Sequence, residues 1–227
     1  MKTLNAFLKG ILAGFLIALG GIANLACIGK GGSGIGNLFG AMFFSIGLLC
    51  VCFLGANLYT GKIGFIIEER KIRFCIDTFI GLLGNVIGAL LVGLLISLLG
   101  KDNFINSVDL SLVNGKIENF DILKTIISSA FCGILIYLGV YLFKKYENPG
   151  LKTLFIFLAV TVFVISGFDH CVANVFYFTD FALINGFNIK LVYLFLLNVL
   201  GNSLGSLLLY GIIKAIDIVE VKVNKSV

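Results

Sequence analysis

The strongest constraint on this chain is a series of six apolar runs, at 10–29, 35–67, 76–100, 122–143, 151–184 and 189–213. A helix that crosses a membrane needs about 20 such residues, and the first, third, fourth and sixth runs have that length. The second and fifth exceed 30 residues, too long for one straight crossing and too short for two crossings joined by a loop. Each carries glycine and polar residues at its centre: Gly55-Ala56-Asn57 in one, Gly167-Phe168-Asp169-His170 in the other. The pattern predicts an all-α membrane protein with six transmembrane helices, the second and fifth interrupted, in a single channel domain over 1–227.

Composition excludes a soluble domain. Hydrophobic residues make up 59% of the chain and charged residues 13%, against about 45–50% and about 25% in soluble proteins. Most of the 28 glycines lie inside the apolar runs, where small residues let helix backbones approach. Twelve of the 17 Lys and Arg residues fall on one face of the bundle (Lys2, Lys9, Lys62, Arg70, Lys71, Arg73, Lys144, Lys145, Lys152, Lys214, Lys222 and Lys225). Lys30, Lys101, Lys116, Lys124 and Lys190 fall on the other. Basic residues favour the cytoplasm, so both termini are expected inside, in a multi-pass protein of the inner membrane. No cleavable leader is expected, since the first run leads straight into the bundle. The six cysteines (Cys27, Cys50, Cys52, Cys75, Cys132, Cys171) show no CxxC spacing and the chain has one histidine. No metal or other cofactor is therefore expected, and no enzyme built on one. Without a basic stripe carrying interleaved aromatics, nucleic acid is not an expected partner.

The chain repeats itself. Gly84-Asn85-Val86-Ile87-Gly88 in the third run meets Gly201-Asn202-Ser203-Leu204-Gly205 in the sixth at an offset of 117. At that offset Ala56-Asn57-Leu58-Tyr59 meets Ala173-Asn174-Val175-Phe176, and at 119 Gly14–Gly20 meets Gly133–Gly139. Three spans per half is an odd number, so the halves (about 10–100 and 122–213) must lie in opposite orientations. Inverted repeats with an interrupted helix in each describe the core of a channel or transporter, of an aquaporin-like architecture.

An interrupted helix leaves backbone groups without helical partners, so the break must face protein or water. A half-helix starting there points its positive end inward and attracts an anion. Two such breaks predict a central site for a small, negatively charged solute. His170, the sole histidine, is the candidate pore residue and proton donor. Asp169 either orients the imidazole or caps the half-helix that follows. Asn57 and Thr60 line or cap the other break. Asn85 and Asn202 either hold the loose backbone or contact the ligand.

These residues resemble the formate/nitrite transporter family. That family shows G-A-[DE]-L-F-T in its second span, where this chain has Gly55-Ala56-Asn57-Leu58-Tyr59-Thr60. It shows G-F-E-H-x-[IV]-A-N-M in its fifth, matched by Gly167-Phe168-Asp169-His170-Cys171-Val172-Ala173-Asn174-Val175, and L-G-N-x-[IL]-G-G in its sixth, matched by Leu200–Ser206. The resemblance implies a homopentamer in the bilayer with one pore per protomer, passing small monovalent anions such as formate, nitrite or hydrosulfide. It also implies two apolar constrictions, one at Leu48 and Leu58 and one at Phe44 and Phe163; the 119 offset makes the two phenylalanines repeat mates. Tyr59 and Thr60 would belong to a flexible loop at the first break, and Asn174 to the second.

Departures from the family pattern are specific. Asn57 stands where the family has an acidic residue. A family lysine near the start of the fourth span has Asp121 at its register, and Lys124 is the candidate to attract anions at the outer mouth, or else a snorkelling interfacial lysine. The expected function is a pH-dependent, histidine-assisted pathway for weak-acid anions. An aquaporin-like pore for small neutral solutes is the alternative, weakened by the single proline, Pro149, since Asn-Pro-Ala is absent from both breaks.

Overall fold

The computed structural model describes residues 1–225. Ser226 and Val227, the end of the expected domain, lie outside the described residues, as do the side chains of Lys222 and Lys225 from the basic-residue count. Among the described residues every regular element is helical. Helix α1 (Lys2–Gly31) passes through a wide turn at Gly32–Gly36 into α2 (Asn37–Phe53). A short α3 (Ile66–Glu69) precedes α4 (Ile72–Ser97), then come α5 (Phe104–Glu118), α6 (Ile122–Lys145), α7 (Pro149–Ile165), α8 (Cys171–Asn185) and α9 (Ile189–Lys225). Five stretches are long and apolar enough to cross a membrane: Lys2–Gly31, Gly34–Phe53, Ile72–Ser97, Ile122–Lys145 and Ile189–Val221. The shorter apolar helices α7 and α8 divide the fifth run.

Both long runs break where the glycines predict. Helices α2 and α7 each hold 17 residues and end just before Gly55 and Gly167, at φ of 62° and 69°. That left-handed conformation is open to glycine at little cost. Beyond the breaks the halves differ. Helix α8 runs for 15 residues, whereas the first break leads only to a 3-10 turn at Ile63–Phe65 and the four-residue α3. The expectation of two facing half-helices is therefore corrected to one: the charged run Glu68-Glu69-Arg70-Lys71 ends the apolar stretch before a second can grow. Helix α5 also lies where the sequence suggests only an outer loop.

What ties the breaks down is one asparagine in each half. Asn85 on α4 accepts from the Tyr59 N–H at 2.9 Å, and its amide donates to the carbonyls of Gly10 at 2.9 Å and Asn57 at 2.8 Å. Asn202 on α9 accepts from the Cys171 N–H at 2.9 Å and donates to Ser129 at 2.7 Å and Asp169 at 2.8 Å. Close helix approach permits this: a Cβ on Gly14 would collide with the backbone of Asn85, and one on Gly133 with that of Asn202.

The shared bonds also correct the internal register. Gly10 matches Ser129 at 119 and Asn85 matches Asn202 at 117, but Asn57 matches Asp169 and Tyr59 matches Cys171, both at 112. The match of Ala56–Tyr59 to Ala173–Phe176 is overturned. So is the pairing of Phe44 with Phe163, whose counterparts at 112 are Ile156 and Val51. The first half spends its extra residues at the end of α1 and in the Gly32–Gly36 turn, which shifts α2 and the break; the second half regains most of them after its own break, in the longer α8.

Asn85→Ala and Asn202→Ala each strand one N–H and two carbonyls in a dry interior. At about 1–3 kcal/mol per unsatisfied group, each should lower the thermal midpoint of the purified protein clearly and to a similar extent. Chemical or thermal melts in detergent check this.

Candidate pore site

Two cavities lie along one face of α2, at different heights. One, of about 210 Å³, is lined by Leu48, Val51, Cys52, Leu58, Lys62 and Lys144, among others. The other, of about 130 Å³, has walls that include Asn24, Phe44, Lys116, Phe163, His170 and Asn174. Phe44 and Leu48 sit one turn apart on α2, about 6 Å of helix rise. All four residues expected at constrictions are buried, at 2–3% exposure. Leu48 and Leu58 share the first cavity, while Phe44 and Phe163 share the second with their rings edge to face and centroids 5.7 Å apart. The phenylalanines thus meet in space although the repeat does not pair them.

His170 is the N-cap of α8, taking the part expected of Asp169. Its Nδ1 accepts from the Ala173 N–H at 3.1 Å, and its Nε2 lies 2.8 Å from the Thr60 hydroxyl. A backbone N–H can only donate, so Nδ1 carries no proton and the neutral ring bears its one proton on Nε2. To become a free proton donor the ring would need a second proton on Nδ1, facing another donor. The expected role narrows accordingly: the ring offers an Nε2–H as hydrogen-bond donor, now directed to Thr60.

Asp169 neither orients the imidazole nor caps the helix. It forms an ion pair with Lys116 of α5. Ser128 Oγ donates to its Oδ2 at 2.9 Å, and Asn174 Nδ2 donates to its Oδ1 at 3.0 Å. Lys124 stands apart from this cluster, exposed, with its backbone N–H capped by Asp121. The lysine at the histidine is Lys116.

The first break is tied rather than loose. Asn57 donates from its side chain to the carbonyls of Ala6 at 3.1 Å and Asp77 at 2.8 Å, bracing the loop between α1 and α4 instead of lining either cavity. Tyr59 is buried, with its hydroxyl 2.8 Å from Ser203 Oγ. Thr60 is fully buried against His170. Asn85 and Asn202 hold backbone, the first of the two roles open to them.

Sequence reasoning missed several side chains. Lys116 and Asn24 line the histidine cavity, and Lys62 and Lys144 line the other. Asp109 on α5 and Asp180 on α8 are both fully buried, and their carboxyl oxygens have no hydrogen-bond partner among the described residues. The signal for α5 was present as spacing: Asn106, Asp109 and Val113 form a buried helical face that Lys116 extends. Its polar composition hid it.

A model of the formate/nitrite transporter family matches residues 1–216. The chain belongs to that family. An uncharacterised transporter of this similarity, YrhG of Bacillus subtilis (strain 168), is 30% identical over 180 residues, covering 74% of this chain and 67% of the relative. The formate channel FocA of Haemophilus influenzae is 29% identical over 189 residues, covering 75% of the chain and 64% of that protein. The chain thus spans about two thirds of the length of these relatives. Among solved structures, an FNT family ion channel superposes with a TM-score of 0.79 at 22% identity over 92% of this chain and 88% of its own. A pentameric formate channel with formate bound gives 0.74 at 21%, over 98% of both chains. These likenesses establish the fold, an all-helical membrane architecture of the aquaporin-like kind.

The Lys116–Asp169 pair should behave as one unit. Lys116→Met and Asp169→Asn should each destabilise the protein by about 2 kcal/mol or more, because each leaves a poorly solvated group unpaired. The double variant should recover part of that loss, with a coupling of about 1–3 kcal/mol in a double-mutant cycle of thermal melts.

Proposed function

We propose that this protein is a channel for small monovalent anions of weak acids, with formate, nitrite and hydrosulfide as the candidate solutes. The single observation that carries this reading is the His170 ring, bonded through Nε2 to Thr60 and set beside the Phe44–Phe163 pair. The path enters the cavity of Lys116 and His170, crosses between Phe44 and Phe163, passes Thr60 and leaves past Leu48 and Leu58 toward Lys62 and Lys144. An unpaired anion is costly at such rings. The solute therefore crosses as the neutral acid or with its charge shared with a donor, and His170 supplies that donor. The proton comes with the solute from solution, so flux rises as pH falls because more of the acid is neutral, without titration of the ring.

The same reading takes the two halves as repeats of opposite orientation, both termini as cytoplasmic in the inner membrane, and the assembly as a homopentamer with one pore per protomer. The formate channels among its relatives and the pentameric neighbour support it.

Uptake of formate, nitrite and hydrosulfide into proteoliposomes, measured across pH, tests the proposal. His170→Asn keeps a helix cap and an N–H donor. It should conduct more slowly with the same pH dependence, whereas His170→Phe should conduct little. Loss of the pH dependence in His170→Asn would show that the ring itself titrates and would overturn the donor-only role. Swelling in glycerol without anion flux would replace the anion channel by a neutral-solute pore.

A further inference from the structure

Asn24 sits two turns from the end of α1 and takes no part in the contacts that hold the breaks. It is 6% exposed, yet its carboxamide makes no hydrogen bond to any described residue of the protein. It faces the cavity that also holds Lys116, His170 and the Phe44 and Phe163 rings. The space for it is built in: a Cβ on Gly40 of α2 would come within 2.7 Å of Asn24 Nδ2. Its amide is not among the sealed, unpartnered polar groups of the described interior, so it opens to the cavity and is free to bind what occupies it. Lys116 lines the same cavity and gives one of its donors to Asp169. An ammonium has three donors, so two remain to offer.

Resting on the channel reading above, we infer that Asn24 and Lys116 form a docking subsite for two-oxygen monovalent anions just before the Phe44–Phe163 ring. One solute oxygen accepts from the Lys116 ammonium and the other from the Asn24 amide. Formate, nitrite and acetate can bridge two donors in this way. Hydrosulfide presents a single, weakly accepting sulfur and gains less from a second, neutral donor. Lys116 attracts either anion, so Asn24 is the residue that discriminates between them. His170 lines the same cavity and meets the solute at the ring.

The test compares formate and hydrosulfide uptake by the full-length wild type and Asn24→Leu in proteoliposomes, over a range of concentrations. Loss of one hydrogen bond to a charged group corresponds to roughly a tenfold change in affinity. The half-saturating formate concentration should rise roughly tenfold in Asn24→Leu, and hydrosulfide uptake, which draws on Lys116, should change much less. Hydrosulfide uptake doubles as the control for folding. If Asn24→Leu does not fold, Asn24→Ser, which is smaller and keeps a donor, should give an intermediate shift in the formate-to-hydrosulfide ratio. An unchanged ratio in the variant that folds, with both anions affected alike or not at all, overturns the subsite and leaves the channel reading standing. A wild type that carries neither anion overturns both.

Discussion

The structure depends on the cost of leaving a peptide group unpaired where no water can reach it. Two helices stop in the interior, and each stop exposes N–H and C=O groups that a continuous helix would have paired. Asn85 and Asn202 settle this with the same chemistry: one carboxamide offers an acceptor to a loop N–H and two donors to two carbonyls. In each case one donor goes to the break and one to the neighbouring long helix. The asparagine thereby fixes the break to the scaffold as well as satisfying it. Glycines at the crossings bring the helices close enough for a side chain this short to reach.

On that scaffold the polar groups divide by task. Asp169, Lys116, Ser128 and Asn174 neutralise and position one another. That leaves His170 to be held by a backbone N–H on one side and a threonine on the other. A ring so held has a defined proton and a defined direction. Fixing the donor before a solute arrives avoids reorganisation when it does.

Much of this could be read from the chain. The apolar runs, their two long members and the glycines at 55 and 167 gave the interrupted helices, and the Gly-Asn-x-x-Gly segments located the two bracing asparagines. The register within the breaks was not legible, because Ala56-Asn57 resembles Ala173-Asn174 more than it resembles Phe168-Asp169. Only the hydrogen bonds show which backbone positions correspond. Lys116 was not legible either. Its helix carries Asn106 and Asp109 on its buried face, so its hydropathy reads as loop, and the eye settles on Lys124 beside the expected span. Cap and ion-pair partners were similarly beyond the sequence: Asp169 precedes a helix and looks like its cap, but the helix begins one residue later than that role requires.

Helix α5 carries a consequence for how the protein is made. Its 15 residues are too few and too polar to enter a bilayer unaided. It packs on α1 and on α8, a helix far along the chain, and buries Asp109. Its packing is therefore incomplete until α8 has emerged. Synthesis can deliver the five long apolar stretches in order, but α5 completes its packing only once α8 is made. Since α5 carries Lys116, the charge beside His170 is fixed only when helices from both ends of the chain have met around it.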